Sequence, residues 1–240
     1  MPHFFINSDT VENNIITIFD KETYNHLVKS LRSKVGEKIL LIDEKQVQYE
    51  GIITEINPNF LSVKIEKKYP SKRKLGFKLY LAQSPLRSDA QSLIIEKATE
   101  IGVEGVYPIY TDNCSVKKSV IEQKIKKWQK IMAEASKQCE RAYIPTCFDL
   151  ITIKELCSNN NFDKTLVFAE KNAQQHLKDY LSKNPVLKNE KVLVIIGPEG
   201  GFSEEEFIFF KQNNIETLSL GELILKAETA VIVALGNLVL

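Results

Sequence analysis

The first part of the chain is written in short alternations. Residues 15–18 (Ile-Ile-Thr-Ile), 38–42, 47–56 and 60–68 are β-branched or alternate apolar with polar positions, the period of a half-buried strand. Asp43-Glu44 and Asn57-Pro58-Asn59 between them are turn signals. Asp20 is placed to N-cap a helix running through Leu31, with Tyr24, Leu27, Val28 and Leu31 on one face. A small β-barrel with one helix fits this pattern. Tyr69-Pro70-Ser71-Lys72-Arg73-Lys74 then interrupts it with a proline and a basic run, which places a domain boundary between residues 70 and 71.

From residue 71 onward the pattern changes. Residues 77–82, 105–110, 165–169, 192–196 and 216–220 read as strands, and helices fall near 88–101, 119–139, 172–181 and 203–212. Ser88/Gln91, Ser119/Glu122 and Ser203/Glu206 are capping-box spacings. Strands separated by helices predict an α/β domain over 71–240, with a mainly parallel sheet covered on both faces. The chain shows no internal repeat.

The most informative stretch is Gly197-Pro198-Glu199-Gly200-Gly201-Phe202, set between the apolar run 192–196 and the predicted helix at Ser203. A strand, glycine turn and helix let backbone N–H groups approach a small ligand without Cβ interference. It is not a P-loop, which needs Lys-Ser/Thr, and its glycines are not spaced G-x-G-x-x-G. By itself it reads equally well as a tight βα turn with no ligand. A second motif follows: Leu218-Ser219-Leu220-Gly221, then Ile224-Leu225-Lys226-Ala227-Glu228-Thr229-Ala230 leading an apolar C-terminal helix.

These two motifs, in this order, resemble the SPOUT-class RNA methyltransferases, and within them the family that methylates N3 of a uridine in 16S ribosomal RNA. Three further stretches are similar to that family's motifs: His26 to Arg32, Glu96-Lys97-Ala98-Thr99-Glu100-Ile101-Gly102-Val103, and Glu134 to Arg141 with Pro145. The resemblance implies a PUA-like barrel over 1–70 and a trefoil-knotted catalytic domain over 71–240, the knot being something ordinary topology rules would not predict. It implies S-adenosylmethionine as cofactor, 16S ribosomal RNA in the small subunit as substrate, and a homodimer supported by the apolar stretch 231–235. The cofactor would be held by Gly197, Pro198, Glu199, Gly200, Gly201, Leu218, Leu220, Gly221, Ile224, Leu225, Thr229 and Ala230.

Methylating N3 of uracil requires that nitrogen to lose its proton, helped by a base or by stabilisation of the anion. No histidine lies near the glycine turn or the C-terminal motif. Arg87, Arg141 and Lys226 are the cationic candidates, and Glu199 and Glu228 are the carboxylates able to orient them or to accept a proton. Without a catalytic role, Arg141 would pair with a glutamate on a helix face, and Glu228 would be a first-turn acid favoured by the helix dipole. Two positions depart from the family. Lys226 stands where relatives commonly carry Arg, keeping the charge but losing the planar fork. Arg87-Ser88-Asp89-Ala90 keeps only the first basic residue of a basic-Gly-acidic-basic run.

Composition narrows the partners. At 240 residues, 43% hydrophobic and 26% charged, the chain is ordinary for a globular protein, and a net charge of +1 means that RNA must be met by local patches. Arg32, the run Lys72, Arg73 and Lys74, and the lysines between 117 and 130 are the candidates, the last equally readable as a solvated helix face. No apolar run approaches the roughly 20 residues of a bilayer span. Met1 to Asp9 lacks the features of a signal peptide, so a cytoplasmic protein is expected. Cys114, Cys139, Cys147 and Cys157 form no C-x-x-C pair and the three histidines are scattered, so neither a disulfide framework nor a metal site is expected. Methylation of another RNA or of ribose 2′-O, and a non-catalytic RNA-binding assembly protein, remain as alternatives. A Rossmann dehydrogenase fits poorly without G-x-G-x-x-G.

Overall fold

The computed structural model describes residues 3–71, 75–158, 162–170 and 172–239. The candidates Lys72, Arg73 and Lys74 lie outside them. The chain divides into two compact units, Met1–Lys74 with Ser136–Ile144, and Leu75–Ala135 with Pro145–Leu240.

In the first unit, strands β1 (His3–Ile6), β2 (Val11–Glu12), β3 (Ile15–Ile18), β4 (Lys38–Asp43), β5 (Val47–Asn57) and β6 (Phe60–Pro70) form one sheet in the order β1-β4-β5-β6-β3-β2. Only the β1–β4 pair is parallel. Alternation sends Ile16 and Ile18, Ile39 and Leu41, and Leu61 and Val63 to one buried face. Phe4 from one edge strand shares that cluster with Ile16 near the other edge, so the sheet curls round its core as a half-barrel. Asp43 closes the β4–β5 hairpin by accepting from the Lys45 and Val47 N–H groups and from the Tyr49 hydroxyl at 2.8 Å. Burial and this carboxylate push the Tyr49 phenol up to about 12.

Helix α1 (Lys21–Asn25) begins as expected, with the Asp20 carboxylate accepting from Thr23 N–H at 2.7 Å. Its continuation over His26–Ser30 is wound wider, as a π-turn closed by Leu31 N–H to His26 O. It ends at Arg32, exposed and at φ +55.

The second unit holds β7 (Lys78–Gln83), β8 (Gly105–Tyr110), β9 (Thr146–Cys147), β10 (Ile151–Thr152), β11 (Lys164–Phe168), β12 (Gln175–His176), β13 (Lys191–Ile196) and β14 (Glu216–Ser219). Every ladder is parallel, in the order β10-β8-β7-β13-β11-β14-β12, with β9 beside β8. Val192, Leu193, Val194 and Ile195 are fully buried, as a strand covered on both faces requires. The connecting helices are α2 (Ser88–Ile101), α3 (Lys118–Gln138), α4 (Ile153–Ser158), α5 (Leu177–Lys183), α6 (Glu204–Gln212) and α7 (Ala227–Val239). Helix α7 buries Ala230, Val231, Ala234, Leu235 and Leu238, one stripe at helical spacing, and packs against α2 and β13. The α/β architecture read from the sequence is the one observed.

Local expectations fail in three places. The cap position of α2 is Arg87, not Ser88, and the Gln91 carboxamide accepts from Leu86 N–H at 2.8 Å. Helix α3 starts at Lys118, so Ser119 sits inside its first turn. The helix expected from residue 172 starts only at Leu177, because Gln175 and His176 pair with Leu218 and Ser219 of β14. Among the described residues, no helix is long and apolar enough to cross a membrane.

Candidate active site

Three neighbouring parallel strands end at one level. Phe168 of β11 is paired with Ile196 of β13 and with Leu218 of β14. The carboxyl edge of a parallel sheet is where open α/β folds take their ligands, and a cleft of about 770 Å³ opens there. It is lined by the ends of these strands, by the glycine turn after β13 and by the segment between β14 and α7.

Hydrogen bonds fix the shape of the glycine turn. Gly201 N–H donates to Pro198 O at 2.9 Å, and Gly201 sits at φ +70, in the left-handed region that favours glycine. Gly200 lines the cleft, but its missing Cβ makes room for protein: a Cβ there would stand 3.2 Å from the Asn113 Cβ. The Asn113 amide donates to Gly200 O at 3.4 Å and to Gly201 O at 3.2 Å. Ser203 then caps α6 in the reciprocal arrangement expected. Glu206 N–H donates to Ser203 Oγ at 3.2 Å, and Ser203 N–H to Glu206 Oε2 at 2.8 Å; such a cap is worth about 1 kcal/mol.

The cap is tied to the loop after β8. Asp112 N–H donates to Glu206 Oε1 at 3.2 Å, and the Ser203 hydroxyl donates to Asp112 Oδ2 at 2.6 Å. Glu206 is only 7% exposed. Burial raises its carboxyl above the ordinary 4.5, and the Asp112 charge pushes the same way against the two N–H donors.

Of the proposed cofactor-binding residues, Gly197, Pro198, Glu199, Gly200, Gly201, Leu218, Leu220, Ile224, Leu225 and Ala230 line the cleft; Gly221 and Thr229 are not among its lining residues. Of the proposed catalytic residues, Glu199, Lys226 and Glu228 line it, while Arg87 and Arg141 do not. Arg87 is exposed at the cap of α2. Arg141 groups with the first unit, is 8% exposed, and stacks its guanidinium 4.6 Å from the Tyr143 ring centre. The cleft also takes in residues that sequence reasoning missed, among them Phe168 at the end of β11, Ala169, Glu170 and Asn172 after it, Phe202, Glu204 and Phe207 around the start of α6, and Ser219. The end of β11 carried a usable signal: its strand was read correctly, and knowing it lay beside β13 would have nominated it.

Among the described residues, the cleft wall carries Glu170, Glu199, Glu204 and Glu228 against Lys226. Such a wall suits a ligand carrying positive charge. Among the described residues, no group of three or more His, Cys, Asp or Glu is placed to hold a metal ion.

The family profile of the RNA methyltransferase domain matches residues 73–239, and that of the RNA methyltransferase PUA domain matches residues 19–66. By class, the chain is an RNA methyltransferase. A ribosomal RNA small subunit methyltransferase E from Mesomycoplasma hyopneumoniae is 31% identical, over 97% of this chain and 96% of that protein. One from Rickettsia conorii is 29% identical, over 97% and 93% respectively. A Legionella pneumophila protein described as a methyltransferase, solved with the cofactor SAM bound, is 26% identical and superposes with a TM-score of 0.85 over 98% of this chain and 96% of its own. The chain belongs to the ribosomal RNA small subunit methyltransferase E family.

Proposed function

We propose that this protein transfers a methyl group from S-adenosylmethionine to N3 of a uridine in small-subunit ribosomal RNA. The observation that carries this reading is the cleft at the joined ends of β11, β13 and β14, walled by the glycine turn, in a chain that matches small-subunit rRNA methyltransferases over nearly its whole length. The residues present fit the cofactor. Phe168, Leu218, Leu220, Ile224, Leu225 and Ala230 offer an apolar wall for adenine, and the four carboxylates suit a sulfonium and an ammonium group. The volume falls within the range of small-molecule sites, about 300–1,000 Å³.

The cofactor supplies the sulfonium-bound methyl group, which no side chain can provide. The chain's own task is to position uracil and manage its N3 proton. Among the described residues, Lys226 is the cation lining the cleft, suited to stabilising negative charge on the base, and Glu228 and Glu199 are the carboxylates suited to accepting the proton. Most of the acceleration comes from holding N3 in line with the methyl carbon.

RNA would be gathered by the exposed Arg32 and by Lys72, Arg73 and Lys74, with Arg87 and Arg141 acting on the RNA. The enzyme works as a homodimer, with its C-terminal helix threaded as a trefoil knot, in the cytoplasm where ribosomes assemble. Nucleoside analysis of 16S ribosomal RNA from a strain lacking the gene tests this. Loss of one N3-methyluridine, restored by the purified protein and S-adenosylmethionine, is the expected result. An unchanged N3-methyluridine content, or loss of a 2′-O-methyl mark instead, overturns the assignment.

A further inference from the structure

The wall of the cleft is held by residues that do not line it. Glu199, Gly200 and Gly201 are exposed, so the turn has little buried side-chain surface of its own and no Cβ at two positions to limit its backbone. Beyond the internal bond from Gly201 N–H to Pro198 O, its conformation rests on hydrogen bonds arriving from behind. Those bonds come from the loop after β8, although β8 is separated from β13 in the sheet by β7. The loop crosses the end of β7, where Ser84 and Thr111 share a hydroxyl–hydroxyl bond at 2.7 Å and Ser84 N–H donates to Ile196 O at 3.1 Å. Beyond that crossing, Asp112 reaches the cap of α6 and Asn113 reaches the two glycine carbonyls.

We propose that Asn113, with Asp112, Ser203 and Glu206, is a positioning clamp that sets the shape of the glycine wall and through it the affinity for the cofactor. None of the four lines the cleft, whereas Gly200, Gly201, Phe202 and Glu204, which they hold, all do. The mechanism is geometric. A trans peptide carries its C=O and N–H on opposite sides. With the Gly201 carbonyl turned toward Asn113, the following Phe202 N–H is turned away from it. Without the Asn113 amide, the two carbonyls are free to rotate and the glycine backbone samples other conformations, which a ligand must then select against. This inference rests on the cofactor-binding reading of the cleft.

The test is calorimetric titration of S-adenosylhomocysteine into the wild type, Asn113→Ala and Asn213→Ala. Asn213 is a control of the same chemistry at the far end of α6, where its amide donates to Phe209 O at 2.8 Å. Asn113→Ala is expected to raise the dissociation constant on the order of five- to tenfold, as two long hydrogen bonds warrant. Asn213→Ala should leave it unchanged, and with saturating cofactor Asn113→Ala should keep most of its turnover. Should Asn113→Ala not fold, Asn113→Ser carries the same comparison. Equal dissociation constants for wild type and the Asn113 variant overturn the clamp alone. A wild type that does not bind S-adenosylhomocysteine overturns the functional reading and the clamp with it.

Discussion

Two buried carboxylates, Asp43 and Glu206, do similar chemistry at very different range. Each accepts two backbone N–H groups. Asp43 takes both from its own hairpin, at Lys45 and Val47, and adds the Tyr49 hydroxyl. Glu206 takes one from Ser203 beside it and the other from Asp112, 94 positions away. Asp43 therefore completes a local turn within the half-barrel. Glu206 joins the loop after β8 to the start of α6, two segments whose neighbours Ile109, Phe202 and Phe210 share one core beneath the cleft wall. The short-range network closes one hairpin, whereas the long-range network ties the loop after β8 to the cap of α6.

The largest effect should come from breaking the local network. Asp43→Ala strands three donors, two part-buried N–H groups and the buried Tyr49 hydroxyl, and should destabilise the protein by about 3 kcal/mol. Denaturant titration would measure this, and S-adenosylhomocysteine affinity of the remaining folded protein should be unaltered. A matching loss of affinity would erase the division drawn between the two networks.

Lys226→Ala probes the opposite extreme, an exposed side chain on the cleft wall. Turnover on ribosomal RNA should fall on the order of 100-fold, with melting temperature unchanged. A loss confined to KM would make Lys226 a binding residue instead.

Between these lies Ser203→Ala, which removes the cap and the bond to Asp112. It should cost about 1 kcal/mol of stability and, unlike Asp43→Ala, weaken cofactor binding as well. Thermal melts with and without S-adenosylhomocysteine separate the two contributions.

The smallest effect concerns pH. The folded protein holds the Glu206 proton more tightly than the unfolded chain, so the associated stability is complete below 4.5 and is lost as pH rises through the raised folded value. Glu206→Gln cannot ionise. Its melting temperature relative to wild type should climb as pH increases above 4.5, whatever constant offset the lost acceptor introduces. Parallel melting curves across that range would show that Glu206 carries no burial cost.

Most elements were legible because their signals are local. The alternation in 38–42 and 60–68, the apolar run 192–196 and the Ser203/Glu206 spacing each act within a few residues, and each appears as read. Elements decided by distant partners were not. Strand β1 is only four residues long and exists by pairing with β4, and β12 displaced the start of a helix by pairing with β14. Strand order is likewise absent from any local pattern, which is why the end of β11 was overlooked as part of the cleft. Gly200 is the sharpest case. The sequence offered a ligand or a tight turn as the reason for its missing side chain; the structure puts Gly200 on the cleft wall and also sets Asn113, 87 positions away, against it.

The order of strands in the parallel sheet also dictates when it can form during synthesis. Strand β7 lies between β8 and β13, and β11 between β13 and β14. A nascent chain that has emerged only as far as β11 has made two strands whose shared neighbour is still unmade, each with an open edge of unsatisfied N–H and C=O groups. Every partner in the half-barrel sheet, by contrast, is complete once β6 has been translated. The methyltransferase sheet therefore spends a long stretch of translation as an unfinished surface, which delays its folding and leaves its apolar strands open to aggregation. Slowing elongation before β13 would prolong that exposure, whereas pausing after β14 would give the sheet time to close.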